Sequence, residues 1–223
     1  KYNIPATIFL TTGHIGTGNL FWWDKVSYII QHTGLDELDL GEFGSFSLLS
    51  ETEKSRAKSV LIEGLKKLPG KEKDLFISDL LVTYGEEIPD DLGEELILSW
   101  DEIKEMSYDG IAFGAHTINH PILTNLPLDQ AKREIIQSKK DIEKNIGHRV
   151  NAFSYPNGCF NADIAELAKT SGFECAVAVS PSRLINPDDS LYELSRIGIG
   201  EDFSKSKVML SGLWGDLKGI SHS

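Results

Sequence analysis

Gly114-Ala115-His116-Thr117-Ile118-Asn119-His120-Pro121 is the stretch from which the rest of the chain is read. An apolar run, Ile111 to Ala115, leads into the first histidine and reads as a buried strand ending near Gly114. Residues at i and i+4 share one side of a helical turn, so this spacing turns both imidazoles towards a single ion. Pro121 stops the turn and fixes the exit of the chain. An H-x-x-x-H pattern is weak alone, because two unrelated histidines in a surface loop match it as well. Its place adds weight. In α/β proteins with parallel strands, active-site groups gather at the carboxyl ends of strands, and this pair stands at one.

Upstream, Ile4 to Leu10 reads as a buried strand, with Thr11-Thr12-Gly13-His14 at its carboxyl end. Phe21 to Thr33 has helical spacing, Glu37 to Leu49 resembles a hairpin, and Ser50 with Glu53 forms a capping box that opens a helix to about Leu68. Pro69-Gly70 breaks it, and Glu72 to Tyr84 is a further helix closed by Gly85. From Leu98 helices and strands alternate. Ser99 with Glu102 caps a helix ended by Gly110. After the histidines, Leu128, Ala131, Ile135, Ile142 and Ile146 make an apolar stripe at helical spacing. Val150 to Ser154 is a strand, Tyr155-Pro156-Asn157-Gly158 a turn, and Asn161 caps a helix to Ser171. Glu174 to Val179 and Tyr192 to Ile199 are strands, and Ser204 to Trp214 is a last helix. Such alternation predicts parallel strands covered by helices, an α/β sheet or barrel with its motif-bearing loops at one end.

The chain has 223 residues, 40% hydrophobic and 25% charged, which suits one globular domain. A net charge of −12 argues against nucleic acid, whose phosphates would repel it. No run is long enough for a membrane span. Two cysteines, Cys159 and Cys175, are too few for a disulfide scaffold and do not have zinc-motif spacing. Cys175 lies in an apolar strand and reads as core; a bridge between the two stays open.

His116-Thr117-Ile118-Asn119-His120-Pro121 resembles the H-[ST]-x-x-H-P motif of the polysaccharide deacetylase family, the NodB-homology domain of carbohydrate esterase family 4. The likeness covers Tyr2 to Trp23 and Leu98 to about Ile199, including Ser154-Tyr155-Pro156-Asn157-Gly158. It implies a distorted (β/α) barrel of fewer than eight strands, here with its first strand missing. Residues 35–95 read as a mostly helical insertion within a single domain, 1–223.

The resemblance also implies chemistry. A divalent metal, zinc in the first instance with cobalt, nickel or iron as alternatives, acidifies a bound water that attacks an N-acetyl group on a hexosamine. His116 and His120 fall on the metal-ligand positions. Two histidines fall short of the three protein ligands usual for catalytic zinc. The family's third ligand and its general base are an Asp pair on the first strand, which would lie before Lys1. The expectation is therefore a fragment of a longer enzyme, the alternative a chain that has lost activity. His14, also at a strand end, is the in-chain candidate for a third ligand, against the plainer reading of a loop histidine. Thr117 is expected to orient a ligand from behind. In the family's R-x-P-[YF]-G motif, the Arg position holds Ser154 and the aromatic position Asn157. The oxyanion donor is then the backbone N–H of Asn157, with Tyr155 and Pro156 beside the substrate. Arg196 is the candidate replacement for the lost arginine, weighed against a surface or structural ion pair, the favoured reading. Trp23 is a candidate sugar platform. The substrate implied is an N-acetylated polysaccharide or oligosaccharide. The rivals are a glycan-binding domain without turnover and a hydrolase of non-sugar amides.

Overall fold

The computed structural model describes residues 4–84, 88–89, 91–179, 190–199 and 207. The expected helix from Ser204 to Trp214 apart from Lys207, the tail after it, and Gly85 lie outside these residues. Two compact units divide the chain: Lys1–Ile15 with Ser99–Ser223, and Gly16–Leu98.

In chain order, β1 (Thr7–Leu10) belongs to the first unit. The second unit follows. It holds α1 (Trp22–His32), a hairpin of β2 (Glu37–Asp39) and β3 (Ser45–Ser47), α2 (Glu51–Leu65), α3 (Gly70–Tyr84) and the short α4 (Leu92–Leu96). The first unit resumes with α5 (Trp100–Tyr108), β4 (Ala112–Ala115), α6 (Leu128–Ile146), β5 (Ala152–Ser154), α7 (Ala162–Thr170), β6 (Cys175–Val179) and β7 (Leu194–Arg196).

In the second unit the expected hairpin forms, antiparallel, with Leu38 opposite Phe46. The Ser50 hydroxyl accepts the Glu53 N–H at 3.3 Å and starts α2, as its capping box predicted. Pro69 stands in the expected break between α2 and α3 and leads into α3: its carbonyl accepts the Lys73 N–H at 3.0 Å, where the missing proline N–H costs nothing. This unit carries its own core, in which Val26, Ile29, Ile30, Leu38, Leu61 and Leu65 are all shielded from solvent. Trp22 packs against that core with the Lys73 ammonium 4.9 Å from its ring centre.

The first unit is a five-stranded sheet in the order β1-β4-β5-β6-β7, every pair parallel. Parallel strands need crossovers, and α6 and α7 supply two of them. Ala131, Ile135, Ile142 and Ile146 of α6 are buried as the stripe predicts, whereas Leu128 in the first turn is half exposed. α6 also buries Lys139. Its ammonium donates to the Gly172 carbonyl just past the end of α7 and lies 4.5 Å from the Phe173 ring centre, a favourable place for a cation. Burial lowers the Lys139 pKa from its ordinary value.

Two expectations need correction. The opening run is buried only towards its end: Ile4 is 78% exposed, and burial begins at Ile8 and is complete at Leu10. β1 stands at one end of the strand order, so one of its edges has no partner strand among the described residues. Cys175 is half-buried instead of core, and both cysteines are free.

Candidate metal centre

The sheet register decides which side chains can meet. Leu10 pairs with Ala115, Ala115 with Phe153, Ser154 with Val177, and Val179 with Arg196. The carboxyl ends of the five strands therefore put the loop after Leu10, the histidine loop after Ala115, Ser154 and Arg196 on one rim of the sheet.

His116 and His120 meet there, ring centres 4.7 Å apart and planes at 75°. They do not sit on a helical turn. The segment has no helical hydrogen bonding, and both Thr117 (φ 70°) and His120 (φ 56°) are left-handed. A β-branched residue rarely takes that conformation, so the fold around Thr117 has to hold it there. Its hydroxyl supplies part of the hold, donating to the His116 carbonyl and accepting the His120 N–H at 2.9 Å. Thr117 thus joins the two histidines directly, and it is fully buried.

The loop after β1 carries the pairing of β1 and β4 onwards. Thr12 N–H donates to the Thr117 carbonyl at 3.1 Å and Gly13 N–H to the Ile118 carbonyl at 2.8 Å. On the other side Glu134 of α6 accepts from the N–H groups of Ile118 (2.8 Å) and Asn119 (3.0 Å) and from the Asn119 side-chain amide (2.8 Å). Gly13 leaves no room for a side chain. A Cβ there would lie 2.7 Å from the Ile118 carbonyl oxygen and 2.8 Å from Asn119 Oδ1. Gly13→Ala is expected to push the histidine loop outward and weaken zinc binding by about tenfold, the lower end of what outer contacts of a metal site control. Calorimetric titration with zinc checks this; unchanged affinity would show that the loop yields without moving the imidazoles.

His116 is well shielded, and its Nδ1 lies 2.6 Å from the Ser154 carbonyl oxygen. A carbonyl can only accept, so Nδ1 carries the proton and Nε2 is the atom with a lone pair for a metal. Burial lowers the His116 pKa from its ordinary value; the Ser154 bond works against that shift, and the Arg196 charge adds to it. All of this suits a metal ligand, which must be neutral.

The fit to a divalent metal is half of a site. His116 and His120 offer two imidazoles at suitable spacing, and the nitrogen chemistry matches zinc. Among the described residues no three side chains of His, Cys, Asp or Glu group closely enough to hold an ion. His14 follows β1 with its N–H 3.4 Å from the Thr11 carbonyl, but it does not complete such a group.

Arg196 departs from the favoured expectation of an ion pair. No carboxylate pairs with it among the described residues. Instead it is half-buried, reaches from β7 past β6, and donates through Nη2 to the Ser154 hydroxyl at 2.8 Å. Its guanidinium stands 5.2 Å from the Phe9 ring centre, and its Nε is buried with no acceptor among the described residues. Burial lowers its pKa, yet a guanidinium keeps its charge at any ordinary pH. Ser154 thus serves twice, its carbonyl orienting His116 and its hydroxyl receiving Arg196.

Tyr155 and Pro156 are buried, unlike the expectation of contact with a sugar. The Tyr155 hydroxyl donates to the Tyr192 carbonyl at 2.8 Å, and its ring stacks on Phe160 at 4.7 Å. Burial pushes its pKa well up, so the hydroxyl stays protonated. Asn157 is exposed in the turn that follows, left-handed at φ 55°. Trp23 belongs to the second unit, on α1, with its ring stacked 4.4 Å from Phe21.

A family model described as "Polysaccharide deacetylase" matches residues 1–176. The chain belongs to the polysaccharide deacetylase family. Polysaccharide deacetylases are hydrolases, and the histidine motif and the Ser154 to Gly158 turn both lie within the matched residues. "Putative polysaccharide deacetylase YxkH" of Bacillus subtilis (strain 168) is 29% identical over 115 residues, which are 52% of this chain and 41% of that protein. The chain spans well under two thirds of that relative. Among solved structures, the deacetylase PplD of Streptococcus pyogenes in complex with acetate is 20% identical, covers 92% of this chain and 94% of its own, and has a TM-score of 0.48. BC0361, a polysaccharide deacetylase from Bacillus cereus, is 22% identical over 56% of this chain and 43% of its own, at a TM-score of 0.43.

Glu134 and the double use of Ser154 were not foreseen from the sequence. The available sign of Glu134 was a carboxylate beside the core stripe of the helix that follows the histidine motif.

Proposed function

We propose that this chain provides the metal-binding part of an N-deacetylase that removes acetyl groups from an N-acetylhexosamine-containing polysaccharide or glycan. Family membership gives the hydrolase class and a polysaccharide as substrate class. The observation that carries the reading to this chain is the His116–His120 pair, with the His116 Nδ1 proton held on the Ser154 carbonyl so that Nε2 keeps its lone pair for a metal. In the same reading the sheet is part of a distorted (β/α) barrel, and residues 35–95 are an insertion in one domain.

His116 and His120 would hold the metal. When bound, the ion supplies Lewis acidity and a water acidified towards neutral pH. The chain's own groups do the rest. Thr117 and Ser154 set the two imidazoles. The guanidinium of Arg196, half out of water, favours negative charge beside the pair, where an electrostatic interaction is stronger than in bulk solvent. The Asn157 backbone N–H is the proposed donor to the oxyanion that develops as the acetyl carbonyl is attacked. His14 stays a proposed third ligand.

A rival has one observation in its favour: the described residues contain no three-ligand group, as suits a glycan-binding domain without turnover. Acetate release decides between them. N-acetylglucosamine oligomers are incubated with zinc, cobalt, nickel or iron and the chain, and with the chain lengthened at Lys1 by a strand bearing the family's Thr-Phe-Asp-Asp sequence. Release that disappears in His116→Ala is the expected result. Oligomer binding with no release from either protein would sink the deacetylase reading. Release from small cyclic amides but not from the sugars would move the substrate class.

A further inference from the structure

The histidine loop is held at the Thr117 and Ile118 carbonyls by main-chain N–H groups and at the Ile118 and Asn119 N–H groups by one carboxylate. Thr12 and Gly13 donate to the carbonyls of Thr117 and Ile118. Glu134 accepts from the N–H groups of Ile118 and Asn119 through one oxygen and from the Asn119 side chain through the other. Those two residues are the turn between the histidines, and the turn has left-handed residues on both sides, Thr117 and His120. Such a backbone persists only where surrounding contacts over-determine it. Two adjacent N–H groups converging on one point form a concavity that favours an anion. In this chain the anion is built in.

We propose that Glu134 is the positioning residue of the histidine pair, its carboxylate fixing the Ile118–Asn119 turn so that both imidazoles face one ion. The inference rests on the reading of His116 and His120 as metal ligands. It differs from ordinary packing in what it predicts. Glu134 is fixed on α6 by its neighbour Ile135, which is fully buried in the core, so the helix offers a rigid post. The carboxylate acts on the turn, through its bonds to the Ile118 and Asn119 N–H groups and to the Asn119 side chain. Charge-assisted hydrogen bonds from N–H groups to a carboxylate are among the stronger ones, and losing all three frees the turn.

The test uses the whole chain and zinc as the probe. Glu134→Ala is expected to weaken zinc binding by roughly 10- to 100-fold, the range that outer partners of metal ligands command. Glu134→Gln keeps an acceptor for the Ile118 and Asn119 N–H groups and is expected to recover most of the affinity. Ile142→Val, a core change elsewhere on α6, is the control. It should lower the melting temperature and leave zinc affinity alone. Affinity unchanged in Glu134→Ala, or reduced equally in Ile142→Val, would overturn the proposal.

A metal-free arm separates this from failure of the metal reading. Amide hydrogen exchange at Ile118, Asn119 and His120 should rise in Glu134→Ala by tenfold or more while β4 and β5 stay protected. If the wild-type chain took up no zinc, the metal reading would fall and exchange would decide on the turn. Unchanged exchange there would overturn the role of Glu134 as well.

Discussion

His120→Ala is expected to cost at least about 100-fold in zinc affinity, more than the loss of an outer partner alone produces. On the proposed reading the two histidines that meet are the ligands, and with no third such side chain grouped beside them among the described residues neither has a reserve. Removing one leaves a single imidazole, which holds zinc little better than any surface histidine. His116→Ala should cost as much and also strand the Ser154 carbonyl, whose partner it is at 2.6 Å. The two variants should therefore differ in folding stability more than in zinc binding, with His116→Ala the less stable. Calorimetric titration beside thermal melting reads both quantities. Zinc binding that survives His120→Ala would show that the pair is not the site. Tight binding by the wild type that needs His116 would point to a further ligand, with His14 first in line.

Phe153→Ala is expected to remove about 3–5 kcal/mol of stability, the range for deleting a large buried aromatic. Phe153 is fully buried in β5 and packs on Tyr155 at 5.4 Å and on Phe173 at 5.3 Å between ring centres. Its backbone pairs with Ala115 on one side and with Ala176 on the other. A cavity there opens beneath the residue that orients His116. Against a typical total of about 5–15 kcal/mol, the change is a large fraction of the whole. Urea unfolding should show a lower midpoint, and Phe153→Leu should lose much less. A loss under about 1 kcal/mol would mean that the cavity collapses and that β5 is not the centre of this core.

How far the sequence could be read follows from which interactions are local. The strand before His116, the Ser50 cap and the capping box at Ser99 were legible, because each is set by residues within a few positions. So was the α6 stripe, apart from Leu128 at the fraying first turn. The histidine pair was legible in position and misread in form. Helical spacing was assumed from i and i+4, whereas Thr117 and His120 turn left-handed because tertiary hydrogen bonds hold them there. Glu134 is 16 residues from Ile118, and its place beside the core stripe does not by itself tell that it holds the histidine loop. Arg196 was expected, in the favoured reading, to make a surface or structural ion pair, with replacement of the family's arginine as the alternative. Its partner is 42 residues away, and the bond exists only because β5, β6 and β7 lie side by side. Tyr155 and Pro156 read as turn residues beside the substrate, yet the turn begins while the chain is still inside the core.

The bond between Arg196 and Ser154 bears on how such families are compared. Read along β5 alone, Ser154 is a small neutral side chain where the resemblance leads one to expect an arginine. Read across three strands, the same place receives a guanidinium from β7. The small side chain and the distant arginine make one complementary pair, each leaving room for the other. A pattern written along one segment of chain counts absences that a pattern written in space does not.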